Sequence, residues 1–258
     1  ASYESLFPKH AEALHETCDI SDFIWSYGYM LMATGDVKWA DKMESAVYNA
    51  ALGAINKDFK ALQYFSSPNQ LLATEKSSMA PYGEEGLSRQ AYRPGFDVEC
   101  CSGNVHRMFP NYISRMWMNG DEHEIVAALY GPSEYRTEIN GTKVCITEDT
   151  SYPFSGKITF RFALDGAPVR IPFTMRIPSW VENAKLTVNA EQPKEYHAGG
   201  FSTIERRFKD GDVVELDIDM KPRAEKRTDA GINVYMGPLL YSVDIDENVE
   251  IIKDQFKT

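Results

Sequence analysis

The chain has 258 residues, 43% of them hydrophobic and 25% charged, with a formal net charge of -11. That length and apolar content suffice for a buried core, as one large domain or two small ones, and rule out compositional disorder. The acidity argues against a nucleic-acid surface, which needs clustered Lys and Arg, and no run of 18 apolar residues supplies a membrane-spanning helix.

In chain order, the opening residues from Ala1 carry neither the charged nor the apolar region of a secretory signal. With no initiator Met, they read as the interior of a longer chain. From Glu16 to about Ala33, the residues Ile20, Phe23, Ile24, Tyr27, Met30 and Leu31 recur at helical spacing and predict an amphipathic helix. Gly35 is placed to end it and Asp36 to cap the next, whose apolar face runs through Trp39, Met43, Val47, Ala50 and Ala54. The short connection predicts antiparallel neighbours. Between Asn56 and Asp97 the pattern weakens around scattered Pro and Gly, and a loop of that length argues for function, with a short strand at Leu62–Phe65. After Cys101, apolar positions from Val105 to Trp117 predict a helix that Pro110 must kink or restart.

Near Asn119 and Gly120 the period changes from helical to two. Predicted strands are Glu124–Leu129, Lys143–Glu148, Lys157–Leu164, Val169–Ile177, Ala184–Val188, Phe201–Phe208, Asp212–Met220 and Ile232–Tyr241. Many short strands at such intervals imply a β-sandwich. The boundary falls at residue 120, giving a helical region over residues 1–120 and a sandwich over residues 121–258. Trp180, Tyr235 and Tyr241 are read as sandwich core in preference to sugar-stacking platforms.

Two of the four cysteines, Cys100 and Cys101, stand side by side. Adjacent residues seldom close a disulfide, so a shared metal, or a reactive thiol beside a ligand thiol, is the chemical alternative to two buried small hydrophobes. Cys18, two residues after Glu16, supplies a third sulfur. Three thiolates and a carboxylate make a tetrahedral zinc set. Cys145 alternates like a strand residue and is read as core. Glu99 and His106 are rival ligands, read instead as a solvated carboxylate and a surface imidazole.

The run Cys100-Cys101-Ser-Gly-Asn104-Val-His-Arg107 resembles the double-cysteine motif of the bacterial β-L-arabinofuranosidases of glycoside hydrolase family 127. Glu16-Thr17-Cys18 is similar to that family's Glu-x-Cys. Arg176-Ile-Pro-Ser-Trp180, Gly211-Asp212 and Gly237-Pro-Leu-Leu-Tyr241 resemble further family segments, in the family's order. The resemblance implies the C-terminal part of an (α/α)6 barrel followed by a β-sandwich. It also implies zinc held by Glu16, Cys18, Cys100 and Cys101, and a carbohydrate substrate hydrolysed with retention by a Cys100 nucleophile.

By the same resemblance the general acid is a glutamate expected just before Ala1, and most of the sugar pocket belongs to an upstream barrel portion. This chain alone is then expected to hydrolyse little unless that portion is supplied. Glu4 and Glu12 do not fit the acid's spacing. A family tyrosine aligns near Phe65-Ser-Ser-Pro68, which leaves the adjacent Tyr64 as the substrate-binding candidate. Asn104 and Arg107 are read as holding the loop and the helix start. The competing reading is a noncatalytic β-sandwich accessory module with a structural zinc site.

Overall fold

The computed structural model describes residues 14–67, 70, 73, 89–95, 100–226 and 231–246. Glu4, Glu12 and Glu99 lie outside them. The described residues begin with a two-residue strand β1 (His15–Glu16), helix α1 (Thr17–Thr34) and helix α2 (Val37–Ser45), which runs into a π turn over Ala46–Ala51. Helix α1 buries Ile20, Ile24 and Leu31 on one face, whereas Phe23 and Met30, predicted to share it, are exposed because they fall to the side of that stripe. Gly28 lies on that face, where an added Cβ would stand 3.3 Å from the Arg115 side chain. Gly35 ends the helix with φ 62°, its N–H bonded to the Leu31 carbonyl, and the Asp36 side chain then accepts from the Lys38 N–H to start α2.

Strand β2 (Phe65–Ser66) pairs with β1, setting Glu16 opposite Phe65. The predicted strand at Leu62–Phe65 is therefore shifted: Leu62 itself makes isolated bridges to Ile55 and Arg93. The cysteine pair opens helix α3 (Cys100–Val105), followed by α4 (Met108–Ile113). The break falls at His106–Arg107, before Pro110. Pro110 is the third residue of α4, where a missing N–H removes no intrahelical bond. Trp117 is not helical as predicted; its alternation with Met118 and Asn119 belongs to a strand.

Strands β3 (Trp117–Asn119), β4 (Ile125–Ala127), β5 (Ser133–Ile139), β6 (Thr142–Thr150), β7 (Lys157–Asp165), β8 (Val169–Ile177), β9 (Asn183–Val188), β10 (Lys194–His197), β11 (Gly200–Phe208) and β12 (Val213–Ile218) build two sheets. One has the order β10-β9-β12-β7-β6-β5 and the other β11-β8-β4-β3, antiparallel except for β4 against β8. Residues of both sheets meet in one core, where Phe162 stacks on Phe208 at 4.1 Å and Phe160 meets Phe173 edge-on at 5.0 Å. Each such fully buried ring contributes about 1.5–3 kcal/mol. A small separate sheet holds β13 (Pro222–Lys226), β14 (Ile232–Met236) and β15 (Leu239–Tyr241).

Two core assignments are corrected. On β6 the inward residues are Val144, Ile146 and Glu148, so Cys145 faces outward between Arg136 and Ala163 and is only half-buried. Tyr241 is 55% exposed on the edge of the last sheet, while Trp180 packs against the sandwich core and the Arg223 guanidinium lies over Trp180 and Tyr235. The described residues are thus strand-rich with few helices, and among them no helix is long and apolar enough to cross a membrane.

Candidate thiol and metal site

The β1–β2 pairing carries Glu16 to the start of α1, and the first turn of α1 carries Cys18. The first turn of α3 brings Cys100 and Cys101 against them. The Thr17 hydroxyl donates to the Gln63 carbonyl at 2.6 Å and its N–H to the Tyr64 carbonyl, fixing this crossing. Glu16, Cys18 and Cys101 are buried and Cys100 is half-buried.

One ligand atom from each of Glu16, Cys18, Cys100 and Cys101 lies within 4.8 Å of all the others. Cys18 and Cys101 sulfurs stand 3.4 Å apart, Cys100 and Cys101 sulfurs 4.0 Å, and Glu16 Oε1 is 3.4 Å from Cys100 and 3.8 Å from Cys101. Thiolates about 2.3 Å from a tetrahedral zinc stand roughly 3.8 Å from one another, so donor types and separations both fit that ion. His106 is apart from the four; it lines a cavity of about 290 Å³ with Phe59 and Phe109.

The three thiols differ. Burial opposes the Cys100 thiolate, but hydrogen bonds from Tyr64, Cys18 and Cys101 outweigh it and hold Cys100 below the ordinary thiol range. Cys18 and Cys101 are both pushed up, chiefly by burial. The Tyr64 hydroxyl lies 3.1 Å from the Cys100 sulfur, and burial with that thiol raises the tyrosine's own value. Of the four cluster residues, Cys100 combines solvent access with a favoured anion, the two properties a thiol nucleophile needs.

Around this cluster the structure adds contacts. Asn104 Nδ2 donates to the Cys18 sulfur at 3.2 Å, a role in the site beyond the loop-holding one read from sequence. Arg107 donates to Asp22 at 2.5 Å and lies over the Trp25 ring, tying α1 to the residue between α3 and α4. The Arg89 guanidinium sits 4.8 Å from the centre of the Tyr64 ring, and the Arg89 carbonyl accepts the N–H groups of Tyr64 and Phe65. Sequence spacing offers no signal for Arg89, because its partner Tyr64 is far from it along the chain.

Residues 2–114 match the β-L-arabinofuranosidase GH127 catalytic domain, and residues 124–220 match the GH127 middle domain. Among solved structures the chain is similar to a protein described as a glycoside hydrolase, at 26% identity over 90% of this chain and 38% of that one, with TM-score 0.73. It is similar in fold to a GH127 β-L-arabinofuranosidase from Geobacillus stearothermophilus T6, at 24% identity, 90% and 36% coverage and TM-score 0.71. A GH127 β-arabinofuranosidase shares the fold at 22% identity, 90% and 37% coverage and TM-score 0.72. The chain spans less than two fifths of the length of each of these proteins. No curated protein matches the sequence.

Proposed function

Because the chain belongs to the glycoside hydrolase family 127 proteins, matching both the catalytic and the middle domain, we propose that it is part of a retaining glycosidase acting on β-L-arabinofuranosides, with Cys100 as nucleophile. The observation that carries this reading is the Cys100 thiol, half-buried beside the Tyr64 hydroxyl and within one cluster with Glu16, Cys18 and Cys101. Helices α1 to α4 belong, in this reading, to the C-terminal part of an (α/α)6 barrel.

In the first step the Cys100 sulfur forms a bond to the anomeric carbon as the bond from that carbon to the leaving oxygen breaks. The leaving oxygen takes its proton from a general acid. In the second, water attacks the same carbon, the carbon–sulfur bond breaks, and the conjugate base of the acid removes the water's proton. Among the described residues Glu16 is the only carboxylate in the cluster, and its place among the thiols suits ligation, so the acid is assigned elsewhere in the whole protein.

Glu16, Cys18, Cys100 and Cys101 would hold zinc, which when bound supplies the positive charge that keeps these sulfurs anionic. Tyr64 holds the Cys100 sulfur toward its open side by hydrogen bond and lines the sugar subsite there. Asn104 orients Cys18.

The test is covalent capture. The barrel-complete protein incubated with an electrophilic L-arabinofuranose analogue should gain one adduct, mapped by mass spectrometry to the Cys100 peptide and absent from Cys100→Ser. No adduct, or one spread evenly over Cys18 and Cys101, would leave the cluster as a closed structural metal site in a noncatalytic module.

A further inference from the structure

We propose that the open edge of the β-sandwich, between β10 and β11, is a second binding site that takes a short stretch of neutral saccharide chain. Strand β10 ends the six-stranded sheet and β11 ends the four-stranded one. Between these edges lies a groove of about 280 Å³ that shares no residue with the cysteine cluster. Its apolar floor is Leu186, Val188 and Ile204, and Tyr196 and Gln192 line it with Arg206. Closed small-molecule sites run to roughly 300–1,000 Å³, so this one suits a short polar ligand that continues into solvent on either side.

Arg206 is the reason to expect a ligand here. It stands on the same face of β11 as Ile204 and Phe208, and its guanidinium lies 5.6 Å from the Phe208 ring centre, capping the core at the sandwich mouth. Its Nε is buried and makes no hydrogen bond. Its terminal nitrogens approach Glu191 and Asp212 only to 3.7 and 3.8 Å, beyond hydrogen-bonding distance. Asp212 is already engaged, accepting from Asn189 Nδ2 at 2.9 Å and from the Lys209 N–H at 3.0 Å. Thus the terminal nitrogens of a guanidinium, each without a close hydrogen bond to its carboxylate, border a groove that also offers an aromatic ring, an amide and the Glu191 carboxylate.

That combination of donors, acceptors and a ring face matches vicinal hydroxyls. The Glu205 carboxylate belongs to the other face of β11, where it pairs with Arg170 at 2.5 Å, and Lys194 and Arg206 balance Glu191 at the groove, so it is the chain's net charge of -11 that disfavours a polyanion. The choice of a saccharide rests on the glycosidase reading above; the groove and its unsatisfied arginine do not. Such a site would hold the polymer while the catalytic half works on one of its ends, raising effective substrate concentration.

The experiment is amide NMR of the full chain titrated separately with arabino-, xylo- and cello-oligosaccharides. At least one should produce saturable shifts confined to residues 186–196 and 203–206, with an affinity in the millimolar range. Arg206→Met should weaken that binding about tenfold, the cost of about one charged hydrogen bond. Gln192→Ala, an exposed change that leaves the core intact, should weaken it as well. The proposal fails if no saccharide shifts these amides, if shifts map only around Tyr64 and Cys100, or if both variants bind like the parent. Capture of Cys100 by the furanose analogue is read independently, so either proposal can fall while the other stands.

Discussion

The Cys18 sulfur accepts from Asn104 Nδ2, on the helix that also carries Cys101, besides its contact with the Cys101 sulfur. A donor to a metal-bound thiolate fixes its direction and tempers its charge, and loss of such a contact typically costs 10–100-fold in affinity. Asn104→Ala is therefore expected to weaken zinc binding by about that factor while leaving the helical content unchanged; competition with a chromogenic chelator measures it. Equal affinity in variant and parent would reduce Asn104 to the loop-holding role that its sequence context suggests. The four clustered residues stood out in the sequence as a carboxylate two residues before a thiol and as two adjacent thiols, but their residue types alone left buried small hydrophobes as an equal alternative, and it was the resemblance that favoured a metal. Asn104 was legible as a residue but not as a contact, since nothing in its spacing says that α3 packs its amide against the first turn of α1. Cys145 misled for a related reason: strand alternation gives the period of a side chain but not which of the two faces is inside.

Among elements, helix ends and core strands followed their local rules closely. Gly35 ends α1 in the left-handed region at φ 62°, and an added Cβ there would meet nothing within 4 Å. Gly35→Ala thus isolates backbone cost from packing, and is expected to lower stability by about 1 kcal/mol with no change in metal content. Urea unfolding monitors it, and an unchanged midpoint would mean that the α1–α2 turn relaxes freely. The strands Val169–Ile177 and Lys157–Asp165 were visible because their inward residues are almost uniformly apolar. Strands β5 and β10 escaped because both are sheet edges, with sequences rich in Ser, Glu, Arg and Lys. Their pairing comes from a neighbouring strand, not from hydrophobic content of their own. The single run predicted at Ile232–Tyr241 is two strands because Gly237, at φ 59°, turns the chain within it.

Across the whole molecule, one of the contacts that join the helices to the sandwich is centred on Arg176 of β8, whose side chain is fully buried. Its Nε donates to the Ala128 carbonyl at 2.7 Å, one terminal nitrogen pairs with Asp41 at 2.5 Å, and the other pairs with Glu44; both carboxylates come from α2. Tyr152 donates to the second Glu44 oxygen at 2.8 Å, and the Tyr130 hydroxyl donates to the Arg176 carbonyl. Burial alone would lower the arginine's proton affinity, yet Glu44 and Asp41 more than offset it and hold the guanidinium charged. The Arg-Ile-Pro segment read from sequence as a family signature is, physically, this clasp. Removing one partner of a buried ion pair strands the other, at a cost of about 3–5 kcal/mol. Arg176→Met is therefore expected to destabilise by that amount, and Arg176→Met with Glu44→Leu to recover much of it, because no charge is then left at the fully buried Glu44 position. Asp41, partly exposed and bonded to the Ser179 N–H, keeps its solvation in both variants. Denaturation of the parent, single and double variants decides the point: a single variant within about 1 kcal/mol of the parent would show that the apolar contact between α2 and the sandwich, not the clasp, holds the two parts together.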